Sequence, residues 1–475
     1  MLIRHSIIYF IGKVAPAILS IIGVMVYTRL ASPDEYGLFS LITVVVGLIN
    51  ILFFQWIRSS FIRFYNDRKN INLFMGSIIK SHIGTLIVIG FPALIITFIL
   101  YLKSLKFYYV IIGYLLLVLL SVFELLIVYF RTTLKPTVVV NVNLIKSLAV
   151  MIVSTVLLFI GWGALGLLFG VIFGLLSGII LYSKKISSSA KNKLTFESNK
   201  NTQKKFLKYG LPITLSFALS VALQNIDKIM ISSILGLREN GSYSVSYDLI
   251  HNLIYMIMTS LSLASFPLVL KVIKKEGNKA GKREFEEYVR LLLFISIPAG
   301  FGLAAILDEF STIIIGNEYS ISNRLMILII LASLFHGLKS HYFDLTLQIT
   351  SKTKHFFIPA LTAVILNIFL NAYMLKIYGI DGAALATAIS FFIAMLMSAF
   401  FSRKNYKVSF PWKDFLKIIS SSSVMYFTLL NITIENSLLS LSIKVLAGVC
   451  IYVVLSFIVN SLSLRKLAIS KLMKR

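Results

Sequence analysis

Fourteen apolar runs of roughly twenty residues dominate this chain, and a helix of that length crosses a hydrocarbon layer about 30 Å thick. They lie at residues 6–28, 38–57, 77–102, 107–130, 137–160, 164–182, 210–236, 246–270, 289–307, 325–346, 356–377, 383–402, 414–434 and 438–460. Their length and lack of period-2 alternation exclude the strands of a membrane β-barrel. Backbone polar groups in lipid must then be satisfied inside helices, so the expected fold is an all-α polytopic membrane protein with 14 transmembrane helices. The composition agrees: 58% of residues are hydrophobic and 14% charged, against about 45–50% and 25% in soluble domains. Arg4 and the segment Ala15-Pro16-Ala17 superficially suggest a secretory signal. However, Lys13 interrupts the apolar core that a signal needs, so residues 6–28 are expected to stay as a spanning helix.

The formal net charge of +27 would suggest a nucleic-acid partner in a soluble protein. Here 35 of the 46 lysines and arginines fall in alternate connections between runs, including eight lysines between Lys184 and Lys208 and seven basic residues from Lys271 to Arg290. The opposite connections hold only Arg29, Lys103, Lys106, Arg238, Arg324 and Lys376. By the positive-inside rule both termini are cytoplasmic. The charge thus reports topology and attraction to anionic lipid, and no nucleic acid is needed. The single Cys450 cannot form an internal disulfide, and no Cys/His cluster has metal-ligand spacing. No metal or cofactor is expected.

The chain carries a weak internal repeat. Leu30-Ala31-Ser32-Pro33-Asp34-Glu35-Tyr36-Gly37 follows the first run, and Leu235-Gly236-Leu237-Arg238-Glu239-Asn240-Gly241 follows the seventh. Likewise Gly161-Trp162-Gly163-Ala164 separates the fifth and sixth runs, while Gly379-Ile380-Asp381-Gly382-Ala383-Ala384 separates the eleventh and twelfth. Six helices per copy keep both copies in the same orientation, related by an axis along the membrane normal. The expected organisation is an N-terminal six-helix lobe at 1–182, a basic cytoplasmic linker at 183–209, a second six-helix lobe at 210–402, and an extra helix pair with a basic tail at 403–475.

The join Tyr27-Thr28-Arg29-Leu30-Ala31-Ser32-Pro33-Asp34-Glu35-Tyr36-Gly37-Leu38-Phe39, the stretch Gln224-Asn225-Ile226-Asp227-Lys228-Ile229-Met230-Ile231, and the loop Gln348-Ile349-Thr350-Ser351-Lys352-Thr353-Lys354 give the chain a family likeness. It resembles the polysaccharide repeat-unit flippases, translocases of O-antigen and capsular oligosaccharide-lipids within the multidrug, oligosaccharidyl-lipid and polysaccharide exporter superfamily. The resemblance implies two lobes around a cavity that opens alternately to either side of a bacterial cytoplasmic membrane. It also implies a polyprenyl-pyrophosphate oligosaccharide as substrate, with membrane lipids, a polysaccharide polymerase and other assembly proteins as partners. Such a substrate requires cations for the pyrophosphate, hydrogen-bonding groups for the sugars and an apolar gap for the tail.

A charge at the centre of a spanning helix costs about 2.5–3.5 kcal/mol on insertion scales, so each is a functional candidate. Lys13, Gln55, Arg58, Arg63, Lys146, Asn225, Lys228 and Lys339 are the candidates for binding substrate. Asp227, Asp248 and Asp344 are candidates for ion coupling, with His251, His336 and His341 close to the last two in sequence. Each has a structural alternative: Lys13 can snorkel to the interface, Arg58 and Arg63 stand where helix ends are basic anyway, and Asp227 can belong to an ion pair between helices. Asn50, Gln224, Asn367 and Asn371 either meet sugars or tie helices together. Glu124 and Lys444 have no evident role in the sequence.

No GxxxxGK[ST] segment is present, so ATP hydrolysis is not expected. A membrane-embedded polymerase or ligase would carry catalytic Arg and His in a large external loop, whereas the longest one here is the short acidic stretch 308–323. The nearer alternatives are a multidrug or cation antiporter of the same superfamily, whose cavity would be acidic, and a flippase of lipid-linked peptidoglycan precursor.

Overall fold

The computed structural model describes residues 2–68, 70–102, 106–187, 197–350, 354–406 and 410–460; at 2–14, 185–187 and 354 the description covers the backbone alone. The chain divides into two compact units, Met1–Gly241 and Ser242–Arg475. Every regular element among the described residues is helical. The first unit holds α1 (Leu2–Leu30), α2 (Pro33–Phe64), α3 (Ile71–Leu102), α4 (Tyr108–Thr132), α5 (Pro136–Phe159), α6 (Gly163–Ser187) and α7 (Lys200–Ile234). Helix α8 (Leu237–Ala305) leads into the second unit, followed by α9 (Leu307–Ile314) and α10 (Asn323–Leu338). A π-helical turn (Lys339–Phe343) then precedes α11 (Asp344–Ile349), α12 (Lys354–Asn405), α13 (Trp412–Leu430) and α14 (Ser437–Ile458).

Ten helical segments among the described residues are long and apolar enough to cross a bilayer, against the fourteen apolar runs of the sequence. Two of them, α8 and α12, are each broken at a glycine with positive φ, Gly277 (+85°) and Gly379 (+58°), so each contains two of the sequence runs. Only glycine adopts that backbone without strain. Helix α3 shows how the apolar excess is spent: Ile87, Val88, Phe91, Leu94 and Phe98 are all exposed. In water that surface would drive aggregation; in a bilayer it is the side that meets lipid.

The Ser-Pro-Asp-Glu motif is a helix start. The Ser32 side chain accepts from the Glu35 N–H, Glu35 accepts in return from the Ser32 N–H at 2.9 Å, and Pro33 opens the first turn. The repeated stretch lies directly against it. A Cβ on Gly37 would overlap the Leu237 carbonyl, a Cβ on Gly241 would overlap the Pro33 carbonyl, and Asn240 donates to the Gly37 carbonyl at 2.8 Å. Both copies of the motif therefore supply the glycine that lets the other backbone approach.

The core of the first unit joins Phe54, Ile57 and Phe61 of α2 to Phe74 and Ile78 of α3, Leu116 of α4, Leu168 of α6 and Phe206 of α7. Helix α7 runs along α2, where Ser60 donates to the Phe206 carbonyl at 2.8 Å. In the second unit Ala305, Met425, Leu429 and Tyr452 gather the end of α8 with α13 and α14.

Candidate functional site

Three polar candidates of α2, Asn50, Gln55 and Arg58, gather with Glu124 of α4. Asn50 and Arg58 stand two turns apart on one face, and a helical arginine side chain points back toward the N-terminus. Arg58 is buried and donates to Gln55 Oε1 at 3.0 Å, to Asn50 Oδ1 at 3.4 Å and to the Asn50 carbonyl at 3.4 Å. Its guanidinium forms an ion pair with Glu124 of α4, and Asn50 donates to the same carboxylate at 2.8 Å. His82 of α3 completes the cluster, its ring tilted 45° against Phe54 at 4.8 Å and 3.2 Å from the Ser121 hydroxyl. Arg58 lies six residues, about 9 Å, inside the end of α2. Glu124 is a third exposed, so the cation is shielded on one side and reachable through its carboxylate.

The other basic candidates are not part of that cluster. Lys146 of α5 sits over the ring of Phe123 at 5.3 Å, so consecutive residues of α4 hold the two cations on different faces. Arg63 pairs with Asp67 at 2.9 Å with both side chains more than half exposed, an arrangement worth little. Asp227 and Lys228 are fully enclosed on α7, and the Lys228 N–H donates to Asp227 Oδ1 at 3.1 Å. Asn225 bonds the Val221 carbonyl of its own helix at 3.0 Å, and Gln224 does the same with Ser220. Lys13 lies outside the residues whose side chains are described.

In the second unit Lys339 and Asp344 form a buried ion pair at 2.7 Å across the π-helical turn. His251 of α8 meets the Ser333 hydroxyl at 3.0 Å, and His341 meets the Thr259 hydroxyl at 3.0 Å. Asp248 is half-buried one turn before His251. Asn367 donates to Thr387 and accepts from Asn371, both on α12, at 3.1 and 3.0 Å. Among the described residues no group of three or more His, Cys, Asp or Glu is placed to hold a metal.

The second unit also contains an apolar cavity of about 620 Å³ between α8, α13 and α14. Ile254, Phe294, Pro298, Met425, Val449 and Tyr452 line it. Lys444 is the one charged residue of its wall, and its ammonium pairs with Glu309 of α9 at 2.5 Å while Ser440 donates to the same carboxylate oxygen at 2.7 Å. Burial by itself would raise the Glu309 carboxyl, but the hydrogen bonds from Lys444 and Ser440 outweigh it and hold it below the ordinary value. Sequence reasoning gave Glu124 and Lys444 no role because their partners are distant in the chain, Arg58 and Glu309 respectively. Glu309 falls in the short acidic stretch between two apolar runs, and the structure places it on helix α9. A charge-balance argument, one intramembrane cation seeking one carboxylate, would have flagged both pairs without identifying the partners.

Comparison with known proteins agrees with this architecture. The chain is 21% identical over 464 residues to the probable low-salt glycan biosynthesis flippase Agl15 of Haloferax volcanii, covering 96% of each. It is 23% identical over 408 residues to the capsular polysaccharide biosynthesis protein CapF of Staphylococcus aureus, covering 84% of this chain and 98% of that one. Among solved structures, the inward closed conformation of the lipid II flippase MurJ superposes with a TM-score of 0.79 at 21% identity, covering 96% of this chain and 99% of the other. That likeness shows a shared fold. Residues 26–324, more than half of the chain, match the family described as polysaccharide biosynthesis protein, and the chain belongs to that family.

Proposed function

We propose that this protein is a flippase that moves polyprenyl-pyrophosphate-linked oligosaccharide repeat units from the inner to the outer leaflet of a cytoplasmic membrane, by alternating access, for cell-surface polysaccharide biosynthesis. The observation that carries this reading is the apolar cavity of the second unit, walled by α13 and α14. A prenyl tail is a long methyl-branched hydrocarbon that must stay out of water while its head group crosses, and a polar solute needs no such groove. Arg58 with Gln55, Lys146, Lys228 and Lys339 supply cations and amides at membrane depth for the pyrophosphate and sugars; Arg63 and Lys13 extend that set toward the cytoplasmic side. Because Arg58 is held by Glu124, pyrophosphate binding there is an exchange of one anion for another. The proposal includes fourteen crossings, cytoplasmic termini and two repeat-related lobes at 6–182 and 210–402, with polymerase and assembly proteins receiving the product.

The test is deletion of the gene, followed by measurement of lipid-linked oligosaccharide on the cytoplasmic leaflet and of surface polysaccharide. Accumulation of the intermediate with loss of surface polymer, reversed by the intact gene, is the expected result. Unchanged intermediates with new sensitivity to cationic drugs would instead identify an antiporter, and a block in cell-wall precursor would identify a peptidoglycan precursor flippase.

A further inference from the structure

Arg58, Lys339 and Lys444 are each paired with a carboxylate at membrane depth, and one of the three pairs is built differently. In Lys339–Asp344 and in Lys444–Glu309 the two side chains are 9% and 11% exposed, so both members are enclosed. In Arg58–Glu124 the arginine side chain is 6% exposed but the glutamate 36%. Glu124 lies eight residues, about 12 Å, inside the end of α4. A half-open carboxylate at that depth faces water rather than lipid, because hydrocarbon does not tolerate the charge. Its open side therefore marks a wet face of the first unit, and an anion arriving there meets Glu124 before Arg58.

Arg58 does not depend on Glu124 for its orientation. Its Nε donates to Gln55 Oε1 at 3.0 Å, and its two terminal nitrogens donate to Asn50 Oδ1 and to the Asn50 carbonyl, each at 3.4 Å, so all three acceptors belong to α2. With its Oδ1 turned to Arg58, Asn50 directs Nδ2 at Glu124 Oε2, 2.8 Å away. Arg58 Nη1 pairs with that same oxygen. Two donors held by α2 thus converge on one anionic oxygen, and only that oxygen comes from another helix. Ser121, one turn before Glu124 on α4, is tied to His82 of α3 at 3.2 Å. Displacing the oxygen therefore takes a change of the Glu124 rotamer and no movement of α4. Once it has turned away, a guanidinium edge and an amide N–H are left pointing at one position, an arrangement suited to a phosphate oxygen.

We propose that Glu124 is a built-in competitor for the anion site of Arg58 and Asn50, and that it sets the charge a ligand must carry to bind there. The proposal rests on the flippase reading and adds a specificity-determining residue to it. An internal competitor weakens every anion that has to displace it. A bilayer phospholipid presents a phosphodiester with one negative charge, which only replaces the charge that Glu124 withdraws. A diphosphate linking a prenyl chain to a sugar carries two charges on adjacent phosphates, so it satisfies Arg58 and keeps a second charge for the remaining donors. Glu124 thus keeps the abundant one-charge lipids off a cation they would otherwise occupy, and specificity comes from the contact that opposes the wrong ligand. The enclosed carboxylates Asp344 and Glu309 offer no such open face and hold their lysines as structure.

The experiment is calorimetric titration of the purified full-length protein, in phosphatidylcholine nanodiscs and magnesium-free buffer, with inorganic pyrophosphate and with dimethyl phosphate, a one-charge phosphodiester. Glu124→Gln should bind pyrophosphate about tenfold or more tightly than the native chain, the size of coupling that a close charge pair carries. It should also bring dimethyl phosphate into the measurable range. Glu124→Asp keeps the charge but shortens its reach, and should fall between the two. Adding Arg58→Gln to Glu124→Gln should erase the gain, while Glu287→Gln, which removes one exposed carboxylate beside Arg290, should leave the affinity unchanged. Difference infrared spectra of the native chain give a second readout: pyrophosphate should shift a carboxylate stretching band that Glu124→Gln lacks. Equal affinity in the native chain and both Glu124 variants, no binding in any of them, a gain that survives Arg58→Gln, or binding without the carboxylate shift overturns the proposal. Binding is read without translocation, so a competitor that fails here leaves the leaflet assay to decide the flippase reading by itself.

Discussion

The Lys444–Glu309 pair is the sharpest place to test how the wall of the apolar cavity is held. Only 9% of the lysine side chain and 11% of the glutamate side chain are exposed, and they meet at 2.5 Å. Replacing Glu309 with Leu strands a buried ammonium beside a cavity of hydrocarbon. Removing one member of such a pair costs about 3–5 kcal/mol, whereas replacing both by apolar residues of similar size is often neutral. Lys444→Met should cost less than Glu309→Leu, because Ser440 still donates to the carboxylate. The double variant Glu309→Leu/Lys444→Met should recover most of the loss, giving a coupling of about 1–3 kcal/mol in a double-mutant cycle. Unfolding of the purified variants in mixed detergent micelles, followed by circular dichroism, measures the four corners. A loss below about 1 kcal/mol for Glu309→Leu, set against the 3–5 kcal/mol expected for a stranded buried charge, would refute the reasoning, as would a double variant whose loss equals the sum of the singles. Because α14 forms the cavity wall, the single variant should also transport less than the double.

The same pair predicts an acid limit. Glu309 has a lowered carboxyl pKa in the folded state, so its contribution is complete above the unfolded value of about 4.3 and disappears as pH falls through the lower folded value; thermal stability of the native chain should fall in that window, and that of Glu309→Leu/Lys444→Met should not. Gly37→Ala or Gly241→Ala forces the crossing of α2 and the start of α8 apart and should cost about 1–3 kcal/mol by overpacking, while Gly47→Ala, with open space around it, should be silent in the same melt. Glu124→Ala leaves the buried Arg58 with only Asn50 and Gln55, and should lower the unfolding midpoint more than Glu124→Gln, which still accepts from Asn50. Filling the apolar cavity with Gly302→Phe should leave protein levels unchanged and reduce surface polysaccharide, measured in cells lacking the native gene; full export by that variant would remove the cavity from the mechanism.

Hydrophobic runs alone settled the class of this protein, because a bilayer imposes one length and one way of satisfying the backbone. Local features were legible wherever they involved neighbours in the chain: the stretches after the first and seventh runs, the glycine turn near 379, and the family likeness of the helix joins. What the sequence could not show is which distant residues share a charge. Arg58 and Lys146 looked alike as free cations, yet one is held by Glu124 and the other lies on Phe123. His336 and Asp344 looked like residues of a continuous α-helix, and only a π turn, which no apolar periodicity encodes, brings Asp344 beneath Lys339. The repeated loop motifs were visible as a pattern, but their meeting at Gly37 and Gly241 was not. Membrane insertion depends on the sum of transfer energies along each segment, so the amino-acid order determines it. Pairing inside the protein depends on which helix faces which, and that is decided only when the helices close around one another.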